Sequence, residues 1–598
     1  MPGADDKQRR DVSPPPPLDT SASRRVTVFL GLICVSLLAL GGRLAQLQLM
    51  GDQRFDRLAR RQQAVTRDLS ASRGNIISGD GQLLATDVQR KSIFADPTQV
   101  EDPEITARLL AQKLDVDRED LEKDLRMEDR LFVWVKRQVS DREAEQVRNL
   151  DLSGVHMRDE QKRVYPNGRL AAHVVGFTDI DGRGLTGLEL EFDGLLRGEP
   201  GEEVVRRDGL QRMLRSPYYG RVTPPYPGAN LHITLDTSIQ SITEQELQAV
   251  VNRHNPESAV ALVMDPHTGD ILAMASSPRF DPNQPARSPE SARKNRAICA
   301  VYEFGSVLKP ITVASALDAG AITPNTTFNC HGGAWRIGGR TVHDAHAYGR
   351  LTVKEIIENS SNIGAAQIGL DLGKRSFYAH LDDLGFGQPT GIRLPGEVSG
   401  MLRPLSRWNR YSVVSVSFGQ ELALTPLNIT RAFCSIANGG WVVKPRLARR
   451  AVRPDSGKLP FTQPAPTRKR RVFSSGTTRQ VRNMMEMVVE SGTGTEAKLE
   501  KYRVGGKTGT AQLLRESGSG YSHSRFLASF VAFAPVSKPQ VVVLVSLKNP
   551  RKNGYYGGVA AAPACGDILQ RTLNYLKVPP DKSPEEESEQ ARDLARRQ

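Results

Sequence analysis

Three short clusters of reactive side chains stand in one order along the chain: Ser306-Val307-Leu308-Lys309, Ser360-Ser361-Asn362 and Lys507-Thr508-Gly509-Thr510. Ser306 leads into an apolar pattern of helical spacing (Val307, Leu308, Ile311, Val313, Ala314, Leu317), so the spacing predicts a helix opening at Ser306. Residues three apart share a helix face, which sets Lys309 beside Ser306. A serine hydroxyl is a weak nucleophile until an adjacent base takes its proton. Lysine can be that base when burial and a neighbouring cation lower its pKa. Ser360 and Asn362 follow a second helical run (Val353, Ile356, Ile357). The Ser360 hydroxyl can relay a proton toward a leaving amine, and the Asn362 amide can hold Lys309 or a substrate backbone. Lys507 brings a second positive charge on an expected strand edge, and Gly509 lets the backbone approach a ligand closely. The N–H groups of Ser306 and Thr510 are candidates for an oxyanion hole, a feature often worth ~3 kcal/mol per donor. Together these groups suit acyl transfer through a serine.

Each cluster alone would be weak. Ser291-Ala292-Arg293-Lys294 also fits Ser-x-x-Lys, but it sits among Pro289, Glu290 and Arg296 with no apolar helix behind it, and reads as a solvated loop. A lone Ser306 would read as a helix N-cap. Ser-x-Asn at Ser360 and Lys-Thr-Gly at Lys507 each occur once. Their order and their local contexts favour chemistry over coincidence.

The elements that must position these groups follow from the rest of the chain. At 598 residues it exceeds one core. Val26 to Gly42 is uncharged and apolar, and the apolar character resumes past Arg43 to Met50. That suffices to span a bilayer, since about 20 residues cross ~30 Å. Arg24 and Arg25, just before it, predict a cytoplasmic N-terminus. A cleaved signal peptide is the rival reading, but the apolar run is longer than such peptides use. Residues 101–150 combine dense charge with spaced leucines, as amphipathic helices of a small α+β domain do. The stretch from Tyr218 to Gly228 reads as a linker. Leu231–Asp236 alternates like a strand. Ala259–Met264 and Ile271–Ala275 flank a turn, and Phe526–Phe533 and Val541–Leu547 read as further strands. Strands at both ends with helices between predict a domain whose terminal segments share one sheet. The net charge of +14 favours anionic partners, but no nucleic-acid-binding motif accompanies it, so nucleic acid is not an expected partner. The five scattered cysteines form neither a disulfide framework nor a metal site.

With these residues in view, the chain resembles the class B penicillin-binding proteins, the membrane-anchored peptidoglycan D,D-transpeptidases. Arg73-Gly74-Asn75, Arg163-Val164-Tyr165-Pro166, Ala172 to Gly176 and Gly187-Leu188-Glu189 look like the family's pedestal motifs. Glu303-Phe304-Gly305-Ser306 matches the approach to the nucleophile, with Phe304 where the family often has Pro. Gly396-Glu397 to Gly400 and Gly492-Thr493-Gly494 also fit. The resemblance implies an α/β architecture: one N-terminal transmembrane helix, an elongated α+β pedestal, and a penicillin-binding domain with an antiparallel sheet flanked by helices. Expected boundaries are a cytoplasmic disordered tail over 1–25, an anchor over 26–48, a dimerisation-like pedestal over 49–225, the transpeptidase domain over 226–576 and a charged tail over 577–598.

The same resemblance implies that Ser306 attacks the penultimate D-Ala carbonyl of a stem peptide, with Lys309, Ser360, Asn362 and Lys507 in catalytic roles. Thr508, Gly509 and Thr510 then bind substrate, Lys507 and Thr508 hold its terminal carboxylate, and β-lactams acylate Ser306. It implies no cofactor and no metal. Expected partners are stem peptides, the inner membrane, a membrane glycan polymerase and other division proteins. Gly182 to Glu189 and Gly554 to Pro563 look like the septal type, with an elongation-type enzyme as the alternative. A β-lactamase, with Glu397 as deacylating base, and a non-catalytic sensor or scaffold are the remaining readings.

Overall fold

A computed structural model describes residues 20–49, 64–127, 129–207, 213–214, 222–464, 470–515 and 520–583. The Pro14–Pro17 run, Tyr218 to Gly220 of the expected linker, and the charged stretch beyond 583 lie outside the described residues. The chain divides into two units, residues 1–69 with 201–224, and residues 70–200 with 225–598.

In the first unit a helix spans Thr20–Leu49. It starts ahead of residue 26, so Arg24 and Arg25 lie on it. Its Arg24–Gln46 stretch is long and apolar enough to cross a membrane, with a mean hydropathy of 2.1, and its leucines and valines point outward. The unit also holds a small antiparallel sheet in which Gly201–Arg207 pairs with Ala64–Leu69, Met213–Leu214 and Val222–Thr223.

The second unit is built on two large sheets, of five and seven strands, with smaller two-stranded ones beside them. Its C-terminal part centres on five strands, β1 (Ser258–Met264), β2 (Ile271–Ser277), β3 (Gly505–Leu514), β4 (Tyr521–Ala534) and β5 (Val541–Lys548), in the order β2-β1-β5-β4-β3. All neighbours are antiparallel. The beginning and end of the domain thus share one sheet through the β1–β5 pair. Side chains alternate across a strand, and both faces here are covered. Ala259, Ala261, Val263, Val543 and Val545 pack into one core with α1 (Thr237–His254) and α4 (Ala562–Tyr575). Val260, Leu262, Val542 and Leu544 face a larger core. That core includes α2 (Lys309–Asp318), α3 (Asn362–Leu372) and the helices Pro426–Ala437 and Ser475–Glu490. Burial on both faces explains why β5 is apolar at nearly every position rather than alternating.

The Leu231 strand forms as Asn230–Ile233 but joins a different sheet from the one its neighbours build. It pairs in parallel with Ile76–Ile77 and antiparallel with Ala448–Val452, inside a seven-stranded sheet that includes Leu83–Ala95, Val133–Val139 and Val155–Val164. Local alternation predicts a strand, but the partner is chosen by segments far away in sequence. At the far end of this sheet, helices Pro103–Lys113, Arg118–Leu125 and Asp141–Arg148 bury Ala107, Leu110, Leu121, Leu125 and Val147 against Ile93 and Val135.

Three of the motifs ahead of the C-terminal part meet at one point. Arg73 Nε donates to Glu189 Oε2 at 2.6 Å and Arg163 Nε to Glu189 Oε1 at 2.7 Å. Asp87 and Asp193 complete the cluster. Glu189 is fully buried, as nearly are both arginines. Removing one partner of a buried ion pair costs far more than the pair itself contributes. Glu189→Ala, which strands two buried guanidinium groups, is therefore expected to destabilise the fold by about 3–5 kcal/mol. Urea unfolding followed by tryptophan fluorescence checks this, and an unchanged midpoint contradicts it.

Candidate active site

Ser306 lies in a 3-10 turn, Gly305–Leu308, that runs into α2. The expected helix therefore opens one turn later than the sequence pattern places it, with Ser306 ahead of its first α-helical residue. Pro310 occupies the first turn of α2, where a backbone N–H has no helical partner to lose. Gly305 has φ +56°, and a Cβ there would stand 3.2 Å from the Ala511 side chain on β3. The nucleophile turn is thus pressed against the strand that carries Lys507.

Lys309 is fully buried. Its Nζ donates to Asn362 Oδ1 at 2.8 Å and to Ser360 Oγ at 3.2 Å, and also to the Ser360 carbonyl. Ser360 ends the short helix Val353–Glu358 in a left-handed conformation, φ +60°, a backbone strain that functional sites often store. That turn lets one residue offer both its carbonyl and its hydroxyl to Lys309. Ser361 then caps α3, accepting from Gly364 N at 3.0 Å. Asn362 is steadied in turn by its amide, which donates to His343 O at 2.8 Å.

Lys507 arrives from the opposite side. It lies on β3, an edge of the five-stranded sheet, and is also fully buried. Its Nζ donates to Ser360 Oγ at 2.9 Å and to Thr508 O at 3.3 Å. The two lysines, 198 residues apart in register with neither exposed, share one hydroxyl. Close approach explains Gly509: a Cβ there would meet Val307 Cγ2 at 2.6 Å and Phe304 O at 2.7 Å. Thr508 Oγ1 pairs with Thr493 Oγ1 at 2.7 Å, and Thr510 Oγ1 accepts from Gly557 N at 3.0 Å. The eight sequence-nominated residues thus stand on three neighbouring segments: the 3-10 turn leading into α2, the turn into α3, and β3. The half-buried Ser306 has no hydrogen bond to its Oγ from any described residue.

Several contributors carry no motif of their own. Asp344 accepts from Ser361 Oγ at 2.6 Å, Asn362 N at 2.5 Å and Ile363 N at 3.0 Å, pinning the start of α3. Nothing around His343-Asp344-Ala345 marks it in the sequence. Glu303 accepts from Tyr521 O–H at 2.7 Å and Glu421 N at 2.9 Å, tying the nucleophile's approach to the start of β4. Thr493 sits in the Gly492-Thr493-Gly494 run, which the family resemblance marks without assigning it a contact. Glu397 accepts from Thr390 N at 2.7 Å, from Thr390 Oγ1, and from Gly391 N at 3.1 Å. Its carboxylate is thereby committed to its own loop. The decoy Ser291 lies in a 3-10 turn, Glu290–Arg293.

Electrostatics follow from this burial. Desolvation pushes Lys309 down to about 7, opposed by the nearby negative charge of Asp344. Lys507 is pushed well below the ordinary lysine range, first by burial and then by repulsion from Lys309. A lysine that sheds its proton near neutrality can act as a base. The site therefore holds the Ser306 hydroxyl, a titrating amine, a second buried amine and the Ser360 hydroxyl that accepts from both. No group of metal-ligating side chains stands among the described residues.

Residues 259–570 match the penicillin-binding protein transpeptidase domain, and residues 68–233 the penicillin-binding protein dimerisation domain. The chain belongs to the penicillin-binding protein transpeptidase family, in the class B form that joins these two domains. It is 35% identical over 558 residues to the probable peptidoglycan D,D-transpeptidase PenA of Neisseria meningitidis, covering 93% of this chain and 92% of that one. It is 32% identical over 576 residues to the peptidoglycan D,D-transpeptidase FtsI of Escherichia coli, covering 94% and 93%. The crystal structure of penicillin-binding protein 3 from Mycobacterium tuberculosis, complexed with aztreonam, is similar with a TM-score of 0.68 at 28% identity, covering 86% of this chain and 98% of that one.

The lysine assignment has a pH consequence. Lys309 is expected to titrate near pH 7, so its neutral form accumulates as pH rises through that value. Asp344 raises the Lys309 pKa, so Asp344→Asn, which keeps an acceptor for Asn362 N, should move the titration to lower pH. NMR of lysines labelled at Nζ reads both. A Lys309 midpoint at the ordinary lysine value, or an upward shift in the variant, contradicts the assignment.

Proposed function

We propose that this protein is a membrane-anchored peptidoglycan D,D-transpeptidase that cross-links stem peptides through an acyl-enzyme on Ser306. The observation that carries the proposal is the pair of buried lysines converging on Ser360 Oγ, one of them at a pKa of about 7. Neutral Lys309 takes the Ser306 proton as Oγ attacks the penultimate D-Ala carbonyl. The N–H groups of Ser306 and Thr510 hold the developing oxyanion. The peptide C–N bond then breaks, and the proton reaches the departing D-Ala amine through Lys309 and Ser360. Lys507 and Thr508 hold the terminal carboxylate, whose charge restores a proton to Lys507. An amine of a neighbouring stem peptide next attacks the ester. Its proton returns to Ser306 as the C–O bond breaks, and the cross-link is complete. β3 ends the sheet order, with no further strand paired to it among the described residues, and such an edge suits pairing with an extended peptide.

A β-lactam presents the same carbonyl and carboxylate, so it is expected to acylate Ser306. The engagement of Glu397 within its own loop argues against fast deacylation and hence against a β-lactamase. The apolar Arg24–Gln46 helix supports an inner-membrane anchor, and Arg24 and Arg25 support a cytoplasmic N-terminus. Similarity to FtsI and to the stage V sporulation protein D of Bacillus subtilis, at 32% identity over 588 residues, supports a septal role; cross-linking there would need a membrane glycan polymerase to supply the strands.

Intact-protein mass spectrometry after a fluorescent penicillin, with peptide mapping, tests the acyl-enzyme. The adduct is expected on Ser306, absent in Ser306→Ala, and stable over many minutes. A label on another residue overturns the site, and rapid loss supports hydrolysis instead. Selective inhibition in cells is expected to produce filaments with labelled protein at mid-cell; rounded cells with dispersed protein favour the elongation role.

A further inference from the structure

A cavity of about 690 Å³ opens between the stretches 173–190 and 290–299, outside the set of residues that form the Ser306 site. Its size is that of a small-molecule pocket, and junctions between differently folded parts are where such pockets gather. Phe177, Leu185, Leu190, Ile298 and Leu394 give it an apolar lining. Leu185 and Leu190 remain 47% and 42% exposed, an unusual amount of open leucine on one rim. Asn295 braces the two walls, donating to His173 O at 3.2 Å.

Two polar groups in this lining have no partner. Thr186 Oγ1 and Arg293 Nε are buried without a hydrogen bond. Among the described residues the Arg293 guanidinium meets no acceptor and lies against the Phe177 ring, 5.8 Å from its centroid. The other charges nearby do not supply the missing anion. Glu290 on the rim stands 3.8 Å from Lys294. His173 spends Nε2 on Ala292 O and is held neutral at physiological pH, its pKa pushed to about 4 by burial. A guanidinium in an apolar setting favours a carboxylate or phosphate, which it can bind in bidentate fashion.

We propose that this cavity binds a small amphiphile, its apolar body against Phe177, Leu185, Leu190 and Ile298 and its oxyanion head on Arg293. Thr186 Oγ1 supplies a second hydrogen bond to the head. The site is separate from the acyl-transfer chemistry and uses none of its residues.

Cys299 makes this testable. It lines the cavity, is partly exposed and carries a free thiol, whereas Cys330, Cys434 and Cys565 are buried. Full-length protein in nanodiscs, with Cys34→Ser to remove the thiol on the N-terminal helix, is alkylated with N-ethylmaleimide and Cys299 is read by mass spectrometry. The probes are 4-phenylbutyrate and 3-phenylpropyl phosphate; 4-phenylbutanol and acetate are the controls lacking head or body. At twice its Kd a bound probe slows alkylation about threefold, from the factor 1 + [L]/Kd. Saturable protection by either anionic probe, absent with both controls and lost in Arg293→Gln, is the expected result, and the stronger of the two probes identifies the head. Equal protection by phenylbutanol, protection retained in Arg293→Gln, or none at millimolar probe overturns the proposal. Saturation-transfer NMR with the same probes on wild type and Leu190→Ser gives a second reading independent of thiol reactivity. Penicillin acylation of Ser306 verifies that each variant is folded.

Discussion

Two amines taken wholly out of water and set on one hydroxyl are the constraint on which the catalytic structure depends. A buried ammonium is costly unless hydrogen-bonded, and two such groups close together cannot both keep ordinary pKa values. The fold answers with acceptors rather than with a carboxylate in direct contact. Lys309 is met by the Ser360 carbonyl, Ser360 Oγ and Asn362 Oδ1. Asp344 acts through the backbone of α3 and through its field, holding the acceptors in place without locking Lys309 into its charged form. A carboxylate paired directly with Lys309 would hold its proton and abolish the base.

Geometry elsewhere follows from that requirement. Ser360 must present two oxygens in one direction, and the left-handed turn at φ +60° does so. Lys507 must approach from a rigid element, and β3 is fixed by its long antiparallel pairing with β4. The strand can come close enough only because residue 509 has no side chain. Two apolar cores, one on each face of the sheet, keep β3 from shifting relative to α2. Rigidity of this kind is what lets hydrogen-bonding groups act on a transition state without reorganising.

Much of this was legible in the sequence, and what was not has a physical reason. Ser306, Lys309, Ser360, Asn362 and Lys507 could be picked out because residue type, helical spacing and strand pattern are local. That the two ends of the domain share one sheet was legible because both carry short, largely apolar runs; that β1 and β5 pair directly was not. The destination of Asn230–Ile233 was not, since strand alternation names a face and not a partner. Asp344 was invisible for a related reason: it acts on residues brought near only by folding, and a lone Asp has no pattern. The buried cluster of Arg73, Arg163 and Glu189 stood in plain view as three separate motifs, but nothing in their spacing said that they meet.

Phe304 shows how a departure from a family pattern can leave a backbone turn in place. Its backbone, φ −85° and ψ −3°, lies near the φ that proline would impose, so the turn before Ser306 keeps its course without the ring. The side chain is 3% exposed, belongs to the large core and meets Tyr302 edge-on at 6.2 Å between centroids. Its carbonyl, with Val307 Cγ2, leaves no room for a side chain at residue 509. An aromatic residue here trades a conformational restraint for packing, anchoring the segment from its buried side. The turn remains pinned from the front as well, where Gly305 N donates to Gly419 O at 3.2 Å and Glu303 holds Tyr521. With the backbone fixed from three directions, the position of Ser306 no longer depends on proline at 304.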